Sequence, residues 1–293
     1  MKQSNSNKSL IYGISAVLLW STVATAFKIA LNEINLFMVL WIASVSASLI
    51  LFVFYIFEKE KDPIKINDWL RSSINGLFNP FVYYLVLFKA YDLLPAQVAQ
   101  PLNYTWPIVL TILSALIFKL KVHWNTWLGL LLSFGGVMLI SNPFGNVQFN
   151  WLGVSLAVGS SLIWSTYWLL NYKDHRKESS KLMLNFLMGS IYISLLLLFE
   201  PSNFHFTFKG LVSSIYIGWF EMGITFFLWM KALKLSEHPG KIANIVFLSP
   251  FISFIFIAII LKEDIHWYTI VGLLTIILGI VAQKVFSKTK AKL

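Results

Sequence analysis

Cysteine is absent from this 293-residue chain, which excludes disulfides, cysteine-ligated zinc and thiol nucleophiles. Charge is scarce as well, with Asp, Glu, Lys and Arg making up 12% of residues, about half of the ~25% usual in a soluble domain. So little charge cannot clothe a water-facing surface, and lipid must face much of the chain. No Gly-x-x-x-x-Gly-Lys-Ser/Thr phosphate loop occurs, so ATP hydrolysis by that route is excluded. The five histidines are scattered without metal-ligand spacing, and no metal or cofactor is expected. The apolar run from Leu10 to Leu31 is followed by no small-residue cleavage site and reads as a permanent helix. The net charge of +10 would suit nucleic acid only if the basic residues shared one exposed face. They lie instead in short clusters between apolar stretches, so the expected partner is a bilayer and not a nucleic acid.

What is present is apolar and aromatic: 57% of residues are hydrophobic and 16% are aromatic. A spanning helix needs about 20 mainly apolar residues. Ten runs qualify, near 9–30, 36–57, 68–90, 96–118, 124–141, 150–172, 181–199, 209–233, 240–261 and 266–286. Runs this long without alternation are not barrel strands. With the N-terminus placed in the cytoplasm, 19 of the 23 basic residues fall in inward segments. Only Lys28, Lys89, Lys209 and Lys262 fall outward, and losing or adding one helix would scramble this positive-inside pattern. The expectation is a multi-pass protein of the cytoplasmic (inner) membrane with both termini cytoplasmic.

The two halves, 1–145 and 146–293, repeat at an offset near 143 residues. Trp20-Ser21-Thr22 recurs as Trp164-Ser165-Thr166, and Lys89-Ala90 recurs as Lys231-Ala232. Pro107 matches Pro250, His123-Trp124 matches His266-Trp267, and Gly129 and Gly136 match Gly272 and Gly279. Five helices per repeat force the second copy to insert upside down. The predicted fold is therefore all-α integral membrane, with ten helices as two inverted five-helix repeats. Such repeats place a binding site near the midplane between the halves, where alternating access can expose it to each side in turn.

Glu221 is the sharpest chemical signal, being the one acid inside a predicted span. A charge at the bilayer centre costs at least ~2.5–3.5 kcal/mol, so such residues face a partner or a wet cavity. It reads as a proton carrier or an anchor for a substrate ammonium group, with a bonded structural carboxylate as the alternative. In the repeat Glu221 corresponds to Asn79 and Thr225 to Tyr83. Each pair is spaced i, i+4 and predicts a polar stripe on one helical face. Helix 4 adds Gln97, Gln100, Asn103 and Tyr104, with Asn244 near the equivalent of Gln100. These line a cavity or hydrogen-bond between helices. Trp20, Trp164 and Trp168 fall within spans and either stack on substrate or pack. Lys28 reads as snorkelling to the headgroups, or as a partner for a substrate carboxylate. Gly13, Gly129, Gly135, Gly136, Gly153, Gly159, Gly272 and Gly279 suit close helix contacts, the last pair between helices 5 and 10.

Taken with the repeat, Leu19-Trp20-Ser21-Thr22, Phe247-Leu248-Ser249-Pro250 and Leu261-Lys262-Glu263-Asp264 give a chain that resembles the drug/metabolite transporter superfamily. The similarity is specifically to its EamA-type ten-helix exporters. The family often has a Leu-x-Glu element after helices 4 and 9; the second copy keeps Glu263, while the first reads Phe118-Lys119-Leu120-Lys121. The resemblance implies a central cavity lined by helices 1, 3, 4, 6, 8 and 9. It also implies transport of amino acids or similar metabolites without ATP. A membrane-embedded enzyme or a non-transporting receptor or scaffold stands as the alternative, and nothing in the sequence fixes the oligomeric state.

Overall fold

A computed structural model describes residues 2–58, 63–117, 119, 124–140, 150–172, 174–199, 205–236 and 245–287. Among them run ten helical rods and no strand: α1 (Lys2–Glu33), α2 (Leu36–Phe57), α3 (66–93), α4 (96–117), α5 (Trp124–Ile140), α6 (Trp151–Tyr172), α7 (Glu178–Leu197), α8 (Phe208–Leu235), α9 (Ile245–Leu261) and α10 (Trp267–Ser287). Five of them, α1, α2, α6, α7 and α8, contain stretches long and apolar enough to cross a membrane. Leu131, Phe134, Ile259 and Leu278 are each more than 60% exposed. Apolar side chains that cover the outside in this way are clothed by lipid. The chain is an all-α membrane protein, as its composition requires.

Two helix pairs reveal how the halves are related. Along α2 and α7, the Trp41 indole donates to the Ser194 hydroxyl at 2.8 Å, and Ser48 meets Ser190 at 3.3 Å. Position rises on one helix as it falls on the other, so the pair is antiparallel. Along α5 and α10, a Cβ on Gly136 would lie 2.5 Å from the Gly272 carbonyl oxygen, one on Gly279 would meet the Gly129 carbonyl, and Ser133 donates to the Ile276 carbonyl at 3.3 Å. Ser48 with Ser190 and Ser133 with Ile276 are repeat equivalents that touch. Equivalent residues meeting on antiparallel helices require a two-fold axis perpendicular to those helices. Such an axis lies in the membrane plane, and the halves are inverted. Local geometry agrees, since Lys119 and Lys262, also equivalent, both adopt left-handed backbone (φ 53° and 57°) just past α4 and α9. Small residues explain the tightness of α5 on α10, as expected, but Gly135 and Gly159 face open space instead of a helix.

The halves interleave. α1 packs on α8 and α9 while α6 packs on α3 and α4; α2 packs on α8 while α7 packs on α3. Two four-helix bundles result, one of α1, α2, α8 and α9, the other of α3, α4, α6 and α7. They touch at α2 and α7, and α5 with α10 forms a separate pair. An ionic fastener sits near one end of each bundle. In the first, Lys209 pairs with Glu33 at 2.9 Å and Thr207 donates to the same carboxylate at 3.0 Å. In the second, Arg176 pairs with Asp174 at 2.6 Å and donates to the Asp68 carbonyl at 3.2 Å and the Ser72 hydroxyl at 2.9 Å. The fasteners occupy nearly equivalent positions with the charges exchanged, and inversion puts them on opposite faces.

Burial alone would raise the Asp174 carboxyl, but the two-pronged Arg176 guanidinium outweighs it and holds the group below its ordinary value of 3.8. Its contribution to stability is therefore present above that value and is lost as pH falls below it. Arg176→Ala takes the main counter-charge from a buried carboxylate and leaves it only the more distant Lys181. It should lower stability by about 3 kcal/mol, the low end for a broken buried pair because this one lies at a bundle end. Lys209→Ala should change little, since Lys209 is 66% exposed. Thermal unfolding of the two variants in detergent separates these outcomes.

Candidate functional site

Both α3 and α8 are broken near mid-length. In α3 a π segment (Leu77–Val82) holds Asn79 in extended backbone (φ −148°, ψ 118°), followed by Pro80. In α8 a π segment (Gly218–Gly223) ends at Gly223 (φ −96°, ψ −83°). The breaks are repeat equivalents, and each is reached closely by a neighbour through an equivalent glycine. A Cβ on Gly76 would come within 2.9 Å of the Gly189 nitrogen on α7, and one on Gly218 would press on Ala43 and Ser46 of α2. Non-helical backbone at membrane depth is tolerated only against protein or a cavity, and π segments gather at functional sites.

Between the two bundles lies a cavity lined by side chains of both. The first bundle supplies Trp20 and Phe27 from α1, Glu221 and Trp229 from α8, and Val246 from α9. The second supplies Tyr83 and Tyr91 from α3, Gln100, Asn103, Tyr104 and Trp106 from α4, and Trp164 and Trp168 from α6. The helices are the six that the resemblance implied. Glu221 is 7% exposed; its Oε1 accepts from the Tyr84 hydroxyl at 2.9 Å, and its Oε2 makes no regular hydrogen bond among the described residues, with the Trp20 indole beside the carboxylate. Tyr83 donates to Asn103 Oδ1 at 3.3 Å, and Asn103 Nδ2 donates to the Ser160 hydroxyl at 2.8 Å. Gln100 Oε1 and Trp168 Nε1 also lack partners among the described residues. The rings form a continuous wall, with Trp164 stacked on Tyr83 at 4.7 Å and edge-on to Trp168 at 5.9 Å. Across from them Trp20 meets Trp229 at 5.2 Å.

Eight of the residues predicted from sequence thus come together: Glu221, Tyr83, Gln100, Asn103, Tyr104, Trp20, Trp164 and Trp168. The two polar stripes do not. Asn79 is fully buried near the Tyr167 hydroxyl, its amide making no regular hydrogen bond among the described residues. Thr225 donates to the Phe220 carbonyl of its own helix. The i, i+4 rule assumes regular α-helix, and the wider π turn between each pair rotates one member away. Asn244 lies outside the described residues. Tyr84, Tyr91, Trp106 and Trp229 were not singled out in sequence. Neither Trp229 nor Tyr84 had a signal in regular helical spacing, because the broken helices set their directions.

Gln97 has a different place, in a second recess lined also by Lys28, Asp92, Glu263, Asp264 and His266. There the first bundle and the chain leading into α10 grip the turn between α3 and α4. Lys28 donates to the carbonyls of Tyr91 at 2.7 Å and Leu94 at 3.0 Å. Glu263 accepts from the backbone N–H groups of Ala96 at 3.1 Å and Gln97 at 3.2 Å, where the helix dipole of α4 favours an anion. The Gln97 side chain donates to the Asp264 carbonyl at 2.7 Å and accepts from the His266 amide at 3.2 Å and the Thr269 hydroxyl at 3.3 Å. Lys28 therefore neither snorkels freely nor faces the cavity. The repeat places Asn171 opposite Lys28 and Leu120 opposite Glu263, so the clasp has no charged counterpart in the other half.

Comparison with known proteins agrees with this architecture. The model of the EamA-like transporter family matches residues 7–142 and again 151–282. An uncharacterized transporter of Acidianus ambivalens is 28% identical over 57% of this chain and 66% of its own length. The aromatic amino acid exporter YddG of Ancylobacter novellus is 25% identical over 80% of this chain and 82% of its own. YvbV of Bacillus subtilis, another uncharacterized transporter, is 25% identical over 76% and 74%. A crystal structure superposes over 96% of this chain and 98% of its own with a TM-score of 0.67 at 20% identity, and so shares the fold. Two family matches, one on each inverted half, make this chain a member of the EamA-like transporter family.

Proposed function

We propose that the protein is a secondary transporter that moves small metabolites, with amino acids or related compounds as the leading class. Export or exchange would proceed across the cytoplasmic membrane by alternating access. The observation that carries this reading is a partly unpartnered carboxylate, Glu221, at a helix break in an aromatic cavity between two bundles. Bundles that each mix helices of both halves can rock against one another about the α2–α7 contact without unfolding either repeat. The aromatic walls, and the aromatic amino acid exporter among the relatives, favour cargo with a ring. With both termini in the cytoplasm, the Lys28–Glu263 clasp would lie on the outer side and hold the bundles together there. Glu221 is the candidate for proton coupling, and no catalytic step is assigned.

Reconstituted vesicles test the whole reading. Protein-dependent counterflow of at least one compound from a broad amino-acid and metabolite panel is expected, and its absence across the panel would overturn it. Glu221→Gln should abolish accumulation driven by a pH gradient while counterflow persists; unchanged pH dependence removes the proton role. The clasp can be probed because the chain has no cysteine of its own. Ala24→Cys, in the cavity wall, should label slowly with an impermeant maleimide added from outside. Adding Glu263→Ala removes two charge-assisted hydrogen bonds, each worth about 1.5–3 kcal/mol, and should raise that rate about tenfold or more.

A further inference from the structure

Among the described residues, the side chains that line the cavity include a carboxylate and no basic group: Glu221 is acidic, and none is Lys, Arg or His. Among the described residues the cations are engaged elsewhere: Lys28 by the carbonyls of Tyr91 and Leu94, and Arg176 by Asp174 and Asp68. Lys181 is turned to the Asp174 carbonyl at 3.4 Å, and Lys231 lies over the Phe227 ring at 4.4 Å. A substrate carboxylate entering here would meet neutral donors at best, such as the free Trp168 Nε1, while a like charge on Glu221 would oppose it. A substrate ammonium would find Oε2 of Glu221, which makes no regular hydrogen bond among the described residues, and the rings of Trp20, Trp164 and Tyr83. Charge-assisted bonding and cation–π attraction both favour it.

We infer that the cavity selects its cargo by the cation. Aromatic amines whose carboxylate is absent, esterified or amidated bind more tightly than the parent zwitterionic amino acids, and aromatic carboxylates without an amine bind most weakly. This rests on the transport reading above, and narrows its substrate class to monocations carrying a ring.

Phenethylamine, phenylalanine and 3-phenylpropionate share one ring and differ in charge, so they isolate the effect. Titrated into the purified full-length protein by calorimetry, each step in that order should weaken binding by about tenfold, the worth of one lost charge-assisted contact. Phenylalanine methyl ester should fall beside phenethylamine. In Glu221→Gln the three affinities should converge to within about threefold. If that variant does not fold, the wild-type series decides alone: phenylalanine binding as tightly as phenethylamine overturns the inference. Counterflow of the same compounds separates the two proposals. Flux without preference for the amines sinks the charge selection but leaves transport standing. Amine-selective binding with no flux of any compound sinks transport but leaves the selection.

Discussion

The hydrocarbon interior offers no water to a backbone amide, so every N–H and C=O within it must find a protein partner or a wet cavity. That constraint explains why the chain is helical throughout its described membrane core. It also gives meaning to two mid-span departures from regular α-helix, in Leu77–Val82 and Gly218–Gly223. Breaks there are tolerated because α7 and α2 seal their backs through Gly76 and Gly218. The inner side then faces the space between the bundles. The cavity, the direction of Tyr84 and the placement of Glu221 all follow from those two interruptions.

Inversion supplies the frame, and divergence supplies the chemistry. On the axis the halves are nearly interchangeable, as the Ser48–Ser190 contact shows. Away from it, equivalent positions hold unlike residues: Asn79 against Glu221, Asn171 against Lys28, Leu120 against Glu263. One face is gripped by a lysine, a capping carboxylate and the Gln97 amide, and the equivalent positions in the other half lack both charges. The two bundle fasteners keep a salt link on each face yet exchange its polarity. A pair of charges works equally well in either order, so exchange there is neutral. A lone carboxylate in the cavity is not neutral, and its presence in one half breaks the symmetry of any cycle the protein performs.

Much of this was legible in the amino-acid sequence, for a physical reason. Hydropathy and basic clusters are dictated by the bilayer, so the ten spans and the repeat could be read within a few residues of their ends. The polar and aromatic residues of α4 and α6 followed from regular helical spacing, and Gln100, Asn103, Tyr104, Trp164 and Trp168 do share the cavity. Reading failed where local backbone departs from the α-helix. Asn79 and Thr225 were placed by a four-residue rule that a π turn breaks. Gln97 was grouped with Gln100 by spacing, but it stands at the first turn of α4, where the link between α9 and α10 reaches it. Gly135 and Gly159 show that glycine alone does not mark a helix contact.

Interleaving also sets the order in which the protein can be completed. Ser9 donates to the carbonyl of Ala232, Ser21 to the hydroxyl of Ser249, and Thr22 meets the Tyr216 hydroxyl. The polar groups of α1 are among the first made, yet their partners follow about 200 residues later. Until then those hydroxyls are confined to bonds with their own helix, such as Ser21 to Val17 and Thr22 to Leu19. Such back-bonding lets α1 enter the membrane alone and wait. Assembly of the first bundle is thus delayed until α8 and α9 have been synthesised, and contacts of such long sequence separation make closure slow.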